Sequence, residues 1–100
     1  MYGTIARIHP KPGAVAQMRD MVGELNAGQR RVPAGFIAGY MFTPDQKIYD
    51  RDTVFLLAIF EDEATYRANA ASLEQNAEYE QMRAMMEDDP TWMDGSFDAA

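Results

Sequence analysis

The succession of apolar patterns along the chain predicts an α+β fold in the order β-α-β-β-α-β: a four-stranded antiparallel sheet carrying two helical regions. Three observations predict it. The run Thr53-Val54-Phe55-Leu56-Leu57-Ala58-Ile59-Phe60 is the longest uninterrupted apolar stretch, set between Asp50-Arg51-Asp52 and Glu61-Asp62-Glu63. It is short for a buried helix and rich in β-branched and aromatic residues, as a strand covered on both faces is. Two longer stretches, 14–30 and 64–86, repeat apolar residues at the 3–4 spacing of a helix. Three further short runs, 2–9, 35–43 and 91–97, are strand-like and bounded by Pro, Gly or acidic turns.

One hundred residues make one domain, 1–100. A chain of this size buries only about 60–65% of the surface that its unfolded form exposes, so it has one core and not a generous one. A net charge of -7 argues against nucleic acid as a partner and against an anionic membrane surface. There is no cysteine, which removes disulfides, thiolate catalysis and thiolate zinc sites and fits a cytoplasmic protein. No basic segment followed by a long apolar one opens the sequence, so no signal peptide is expected. No apolar run approaches the roughly 20 residues that span a bilayer.

Taken in order, Tyr2 to His9 reads as a strand that Pro10 breaks, and Lys11-Pro12-Gly13 as the turn after it. Ala14 to about Arg30 reads as an amphipathic helix. Val15, Met18, Val22 and Leu25 form its buried stripe, widened by Ala14 and Met21, with Gly28 loosening the last turn. Gly35 to Thr43 reads as a strand with Phe36, Ala38, Tyr40 and Phe42 on one face and Ile37, Gly39 and Met41 on the other. Thr53 to Phe60 is the third strand. Asp62 is the expected N-cap of a second helix over 64–71, and Ser72 with Gln75 has capping-box spacing, so that helix should break and restart. Leu73, Ala77, Met82, Met85 and Met86 supply a second apolar stripe, and Glu87-Asp88-Asp89-Pro90 ends it. Acidic residues at a helix C-terminus oppose the dipole, so this end is expected to fray. Thr91 to Phe97 is the fourth strand, with Trp92, Asp94 and Ser96 alternating against Met93, Gly95 and Phe97.

This is the ferredoxin-like split βαβ order, which puts the first and third strands at the centre of the sheet. Four strands at about 4.8 Å spacing are roughly 19 Å wide, and two helices of about 10 Å cover that width once. The third strand nevertheless has Phe55, Leu57 and Ile59 on one side and Val54, Leu56 and Phe60 on the other. An uncovered apolar face of that size is unusual on a monomer. A symmetric homodimer, sheet face to sheet face and burying at least about 1,200 Å², is the economical expectation.

Three segments carry a family resemblance: Thr4-Ile5-Ala6-Arg7-Ile8 followed by Lys11-Pro12-Gly13, Glu61-Asp62-Glu63 with Arg67-Ala68 and Ala71-Ser72 after it, and Trp92-Met93-Asp94-Gly95-Ser96-Phe97. In order and spacing they resemble the antibiotic biosynthesis monooxygenase (ABM) domain family of the dimeric α+β barrel superfamily. The resemblance implies two ferredoxin-like subunits whose sheets form a barrel, each with a ligand pocket between sheet and helices. It implies an activity among cofactor-free oxygenation of phenols and quinols, haem degradation, or none assigned. In the cofactor-free members the deprotonated substrate itself donates the electron to oxygen, and the protein supplies an apolar pocket with a few polar groups. The sequence departs from the family at three places. Asn69 stands where many members carry His on the second helix, Phe60 where many carry Trp, and Thr4 and Ala6 where the haem-degrading members use Asn. Haem is therefore not expected, and the resemblance implies no cofactor.

The candidate catalytic residues are Asn69 and Tyr66, three apart on one face of the second helix, where an amide and a phenol could enter the pocket or else face solvent. Arg7, Tyr40, Phe60 and Trp92 are candidate substrate-binding residues. Arg7, among apolar positions, needs an anionic partner, either Asp94 or Glu61 structurally or an anionic substrate. Tyr40 and Trp92 suit a pocket wall or a dimer interface. His9, the one histidine, reads as a solvated residue at a strand end more than as a base. Asp50 and Asp52 read as a charged loop more than as a cation site, and no metal is expected. The methionines read as core. The sequence thus carries two readings, a cofactor-independent monooxygenase of a small aromatic substrate and a non-catalytic binding or dimerisation module, and an open cavity above about 300 Å³ would favour a ligand.

Overall fold

The computed structural model describes residues 1–48 and 50–100, and for Leu73 the backbone alone. The elements are β1 (Tyr2–Ile8), α1 (Ala14–Asn26), β2 (Phe36–Phe42), β3 (Val54–Phe60), α2 (Glu63–Ala70), α3 (Leu73–Arg83) and β4 (Thr91–Ser96). The sheet has the order β2-β3-β1-β4 and every neighbouring pair is antiparallel. The chain is therefore the α+β, ferredoxin-like βαββαβ fold, with β1 and β3 central.

Register assigns the faces. Thr4 pairs with Ala58 and Asp94, Ala6 with Leu56 and Trp92, and Ile8 with Val54. Thr4, Ala6, Ile8, Val54 and Phe60 are all buried, so this is the face under the helices. Met18 of α1 and Met86 complete its core, with Val15, Met41, Met82 and Met85 packed around it. The opposite face carries Ile5 paired with Leu57 and Met93, Arg7 paired with Phe55 and Thr91, and Tyr40 paired with Leu57. Among the described residues no element lies over it, and Tyr40, Phe42 and Met93 are 56%, 59% and 64% exposed.

Four details differ from the sequence expectation. The first helix ends at Asn26 rather than near Arg30. Gly28 adopts φ +73, its N–H bonds the carbonyl of Leu25 at 3.2 Å, and the N–H of Gln29 bonds that of Glu24 at 2.8 Å. This is a Schellman closure, in which a glycine in the left-handed region turns the chain out of the helix. In β2 a register shift between Phe36 and Ala38 reverses the alternation. Phe36 thereby pairs with Phe60 on the helix side, while Ala38, Tyr40 and Phe42 stay on the open face. Ala77 of the proposed second stripe is exposed, and the place of Leu73 in that stripe lies outside the described side chains. Finally, the acidic segment after α3 is pinned rather than frayed. Arg51 pairs with Glu87 at 3.2 Å and Asp88 at 3.1 Å, Arg83 with Asp89 at 2.9 Å, and the N–H of Glu87 bonds the carbonyl of His9 at 2.8 Å.

The break between α2 and α3 forms where the capping signals stand. Asp62 accepts from the N–H of Thr65 at 2.8 Å, and Ser72 accepts from that of Gln75 at 3.0 Å. Gly35, at φ +79, lies against the Thr65 side chain, so the turn into β2 has neither the backbone geometry nor the room for a Cβ.

The junction of α1 with β2 rests on one side chain. The Asn26 amide donates to the carbonyl of Gly39 at 2.8 Å and accepts from its N–H at 2.8 Å. Gly39 is buried, with Val22 packed against it. Replacing Asn26 by Ala leaves two backbone groups of Gly39 without partners, and the expected loss is about 2 kcal/mol in equilibrium denaturation. A change within a few tenths of a kcal/mol would show that water takes over both bonds.

Candidate functional site

Between the helix-side face of the sheet and the helices lies a cavity of about 510 Å³. It exists because α3 does not descend onto the sheet as α1 and α2 do. Of the described α3 side chains none is fully buried, and the helix is dominated by Glu, Gln and Asn. The cavity floor is Thr4, Ala6, Ile8, Leu56, Ala58 and Phe60, all from β1 and β3. Met21, Val22 and Leu25 of α1 form one wall, and Tyr79, Met82 and Met86 form another. Phe36 and Trp92 close the ends of the apolar lining from the two edge strands.

Tyr66 and Asn69 both line this cavity. The N-cap at Asp62 starts α2 in a phase that turns the Tyr66–Asn69 side toward the sheet. The Tyr66 ring packs edge-on against Phe60 at 5.6 Å and tilted against Tyr2 at 5.5 Å. Its hydroxyl donates to Asp94 Oδ1 at 2.8 Å. The other oxygen of Asp94 accepts from Arg67 Nη1 at 3.1 Å, and Arg67 also donates to the Tyr2 hydroxyl at 2.9 Å and to Glu63 at 3.4 Å. Beside them the Thr4 hydroxyl donates to the carbonyl of Met93 at 3.2 Å. Burial, and then the bond to Asp94, push the Tyr66 phenol above its ordinary 10.0. Burial acts to raise the Asp94 carboxyl too. The neighbouring Thr4 and Tyr66 hydroxyls and the Arg67 guanidinium outweigh it and hold Asp94 below its ordinary 3.8.

Asn69 is held from both sides. Its Oδ1 accepts from Arg31 Nη2 at 3.1 Å and its Nδ2 donates to Gln75 Oε1 at 3.2 Å. Arg31 also pairs with Glu78 at 3.1 Å, and Arg30 pairs with Glu24 at 2.7 Å. The segment after α1 is thus tied across the cavity to α2 and α3.

The other sequence-derived candidates divide. Phe60 is buried in the cavity floor and packs edge-on on Phe36 at 5.6 Å. Trp92 lines the cavity and stacks tilted on Tyr79 at 6.0 Å. Tyr40 borders the cavity, but its register partner is Leu57 and it is 56% exposed, so its ring belongs to the open face. Arg7 does not reach the site. It stands exposed on the open face between Phe55 and Thr91, and Asp94, offered as its partner, lies on the other face with Arg67. An odd position on β1 cannot share a face with Thr4 and Ala6, which is the reason. His9 Nδ1 sits 3.3 Å from the Thr53 hydroxyl and 3.4 Å from the carbonyl of Asp52, outside the cavity. Among the described residues no group of three His, Cys, Asp or Glu could hold a metal ion, and no helix is long and apolar enough to cross a membrane. Asp94, Tyr2 and Tyr79 are the site neighbours that the sequence did not single out as site residues. For Asp94 the signal was its β4 alternation with Trp92.

No family model and no curated protein matches the chain by sequence. Solved structures do. Rv0793 from Mycobacterium tuberculosis superposes with a TM-score of 0.69 at 14% identity, covering 99% of this chain and 98% of that one. An antibiotic biosynthesis monooxygenase gives 0.66 at 18%, covering 97% and 98%. SnoaB, a cofactor-independent oxygenase from Streptomyces nogalater solved as an asparagine-to-alanine variant, gives 0.63 at 18%, covering 98% and 91%. At these identities the likeness is one of fold: the chain has the fold of the ABM domain along its whole length.

The Asp94 carboxyl supplies an acid-range check. Because its folded pKa lies below the unfolded value of 3.8, its contribution to stability is present above about pH 4 and is lost as pH falls through the lowered pKa. Asp94→Asn should therefore be less stable than the parent at neutral pH, with the gap closing in acid. A gap independent of pH would show that the carboxylate charge is not what matters.

Proposed function

We propose that the protein is a cofactor-independent monooxygenase acting on a small aromatic substrate of the phenol or quinol type. The observation that carries this reading is the cavity of about 510 Å³, apolar on floor and walls, with Tyr66 and Asn69 on one helix face inside it. Its volume falls in the range of small-molecule sites, with a few fixed polar groups in an apolar lining. Its setting is a fold shared with a structure named an antibiotic biosynthesis monooxygenase and with SnoaB, named a cofactor-independent oxygenase.

In this reading each group has a limited task. Phe60, Phe36, Trp92 and the methionines exclude water and hold an aromatic plane by apolar contact. Tyr66, anchored on Asp94, and Asn69, anchored on Arg31 and Gln75, fix the orientation of a ring oxygen. Oxygen uptake with a panel of anthrone-like and quinol substrates tests it. Turnover is expected, with Tyr66→Phe and Asn69→Ala each slowing it about tenfold or more. No turnover across the panel would leave a second reading, a binding module without catalysis, which is favoured by one observation: both ends of the Asn69 amide already hold protein partners.

We further propose that the protein works as a homodimer through the open sheet face, where Tyr40, Phe42 and Met93 are exposed beside Ile5, Phe55, Leu57 and Ile59. The expected result is a dimer in sedimentation at micromolar concentration and a folded monomer for Leu57→Asp. A parent protein that sediments as a well-folded monomer would sink the proposal.

A further inference from the structure

The segment between α1 and β2 is pinned at its ends and loose in its middle. The N–H of Gln29 bonds the carbonyl of Glu24 at 2.8 Å, and the carbonyl of Gly35 accepts from the N–H of Glu61 at 2.8 Å. Between them, among the described residues, Arg30, Arg31 and Val32 make no backbone hydrogen bond. The helix facing this strap, α3, is tied by backbone at both ends. The N–H of Ser72 bonds the carbonyl of Asn69 at 3.0 Å. Beyond the other end, the N–H of Lys11 bonds the carbonyl of Met85 and the N–H of Glu87 bonds that of His9, each at 2.8 Å. The seam between strap and helices borders the cavity: Arg30 and Pro33 line it from one side, Asn69, Gln75 and Glu78 from the other. Among the described residues no backbone hydrogen bond crosses that seam. What crosses it is arginine. Arg31 reaches Asn69 Oδ1 and Glu78 Oε1, both at 3.1 Å, and Arg30 reaches Gln81 Oε1 at 3.5 Å.

From this, and resting on the reading of the cavity as a small-molecule site, we propose that residues 30–32 are a gate over the cavity, latched by Arg31 on Glu78 and Asn69, and that release of this latch sets the rate at which a small aromatic ligand enters and leaves. The strap is the moving part, because α3 is held by backbone bonds that the strap lacks. The latch suits the task because it is weak. Arg31 and Glu78 each remain 35% exposed, so water competes for both partners and opening costs little. The latch bonds join protein to protein and are the same whether the cavity is empty or filled. Their loss therefore speeds entry and release by one factor and leaves the affinity nearly unchanged. The guanidinium that closes the seam is also the donor that holds the Asn69 carbonyl, so closure and the fixed orientation of that amide arrive together.

The probe is 2-naphthol, followed by its fluorescence in stopped flow. Arg31→Met is expected to raise the association and dissociation rates together, each about threefold or more, with Kd within about twofold of the parent's. Glu78→Gln removes the ion pair and leaves the Arg31–Asn69 bond in place, so a rise of both rates there comes from the latch and not from a displaced Asn69. Added salt should speed both rates in the parent by screening the pair, and have less effect in either variant. The chain has no cysteine, so a double variant, Arg31→Cys with Glu78→Cys, can be bridged by a reducible bis-methanethiosulfonate linker. The bridged protein should exchange the probe about tenfold or more slowly than its reduced form, and reduction should restore the rate. Variants with the parent's rates, an affinity change carried by one rate alone, or a bridged protein that exchanges as fast as its reduced form would overturn the inference and leave the cavity reading standing. Failure of the parent to bind 2-naphthol would overturn the cavity reading, and this inference with it.

Discussion

The antiparallel pairing of β1 with β3 is the constraint from which the rest of the structure follows. Seven consecutive pairs, from Tyr2 with Phe60 to Ile8 with Val54, lock two strands that are apolar on both sides. A slip of one residue would exchange the two faces. In the observed register Thr4, Ala6 and Ile8 meet Ala58, Leu56 and Val54 under the helices, so the small side chains of Ala6 and Ala58 share the floor of the cavity. The same register carries Asp94 to the level of Thr4, and with it the partner of Tyr66. One pairing therefore decides the core, the cavity floor and the polar end of the site together.

The cavity itself is a consequence of poor helix amphipathicity. α1 presents Met18 and its neighbours to the sheet and packs down on it. α3, restarted by Ser72 and composed mostly of Glu, Gln and Asn, has little apolar surface with which to do the same. It is instead held by the ion pair of Arg31 with Glu78 on one side and by the packing of Tyr79 on Trp92 on the other. Space remains because no side chain there gains enough from filling it, and protein interiors otherwise close to near-crystalline density.

The order of elements, the central pair of strands and the capping at Asp62 and Ser72 were legible because each has a local cause, a hydrophobic period or a side-chain bond three residues away. The pairing of Tyr66 with Asn69 in the cavity was legible for the same reason, since helix spacing alone puts them together. What could not be read is non-local. The register shift at Phe36–Ala38 moves Phe36 to the helix side without any mark in the alternation of β2. The end of α1 depends on Gly28 adopting the left-handed region, which a glycine permits but does not require. Arg7 was drawn toward the site by its apolar neighbours, yet parity on β1 sends it to the other face. The grip of Asp94 and Arg67 on Tyr66 joins residues 27 and 28 positions apart in sequence, and only the folded sheet brings them together.

The Asn26 amide has a consequence for assembly that is separate from the stability of the α1–β2 junction. It meets the N–H and the carbonyl of Gly39 as an adjacent strand would, at the midpoint of one rim of the sheet. The outward N–H and carbonyl of Gly39 are thereby unavailable to an added strand. The amide thus blunts that edge at its centre, in a chain whose strands are among its most apolar segments.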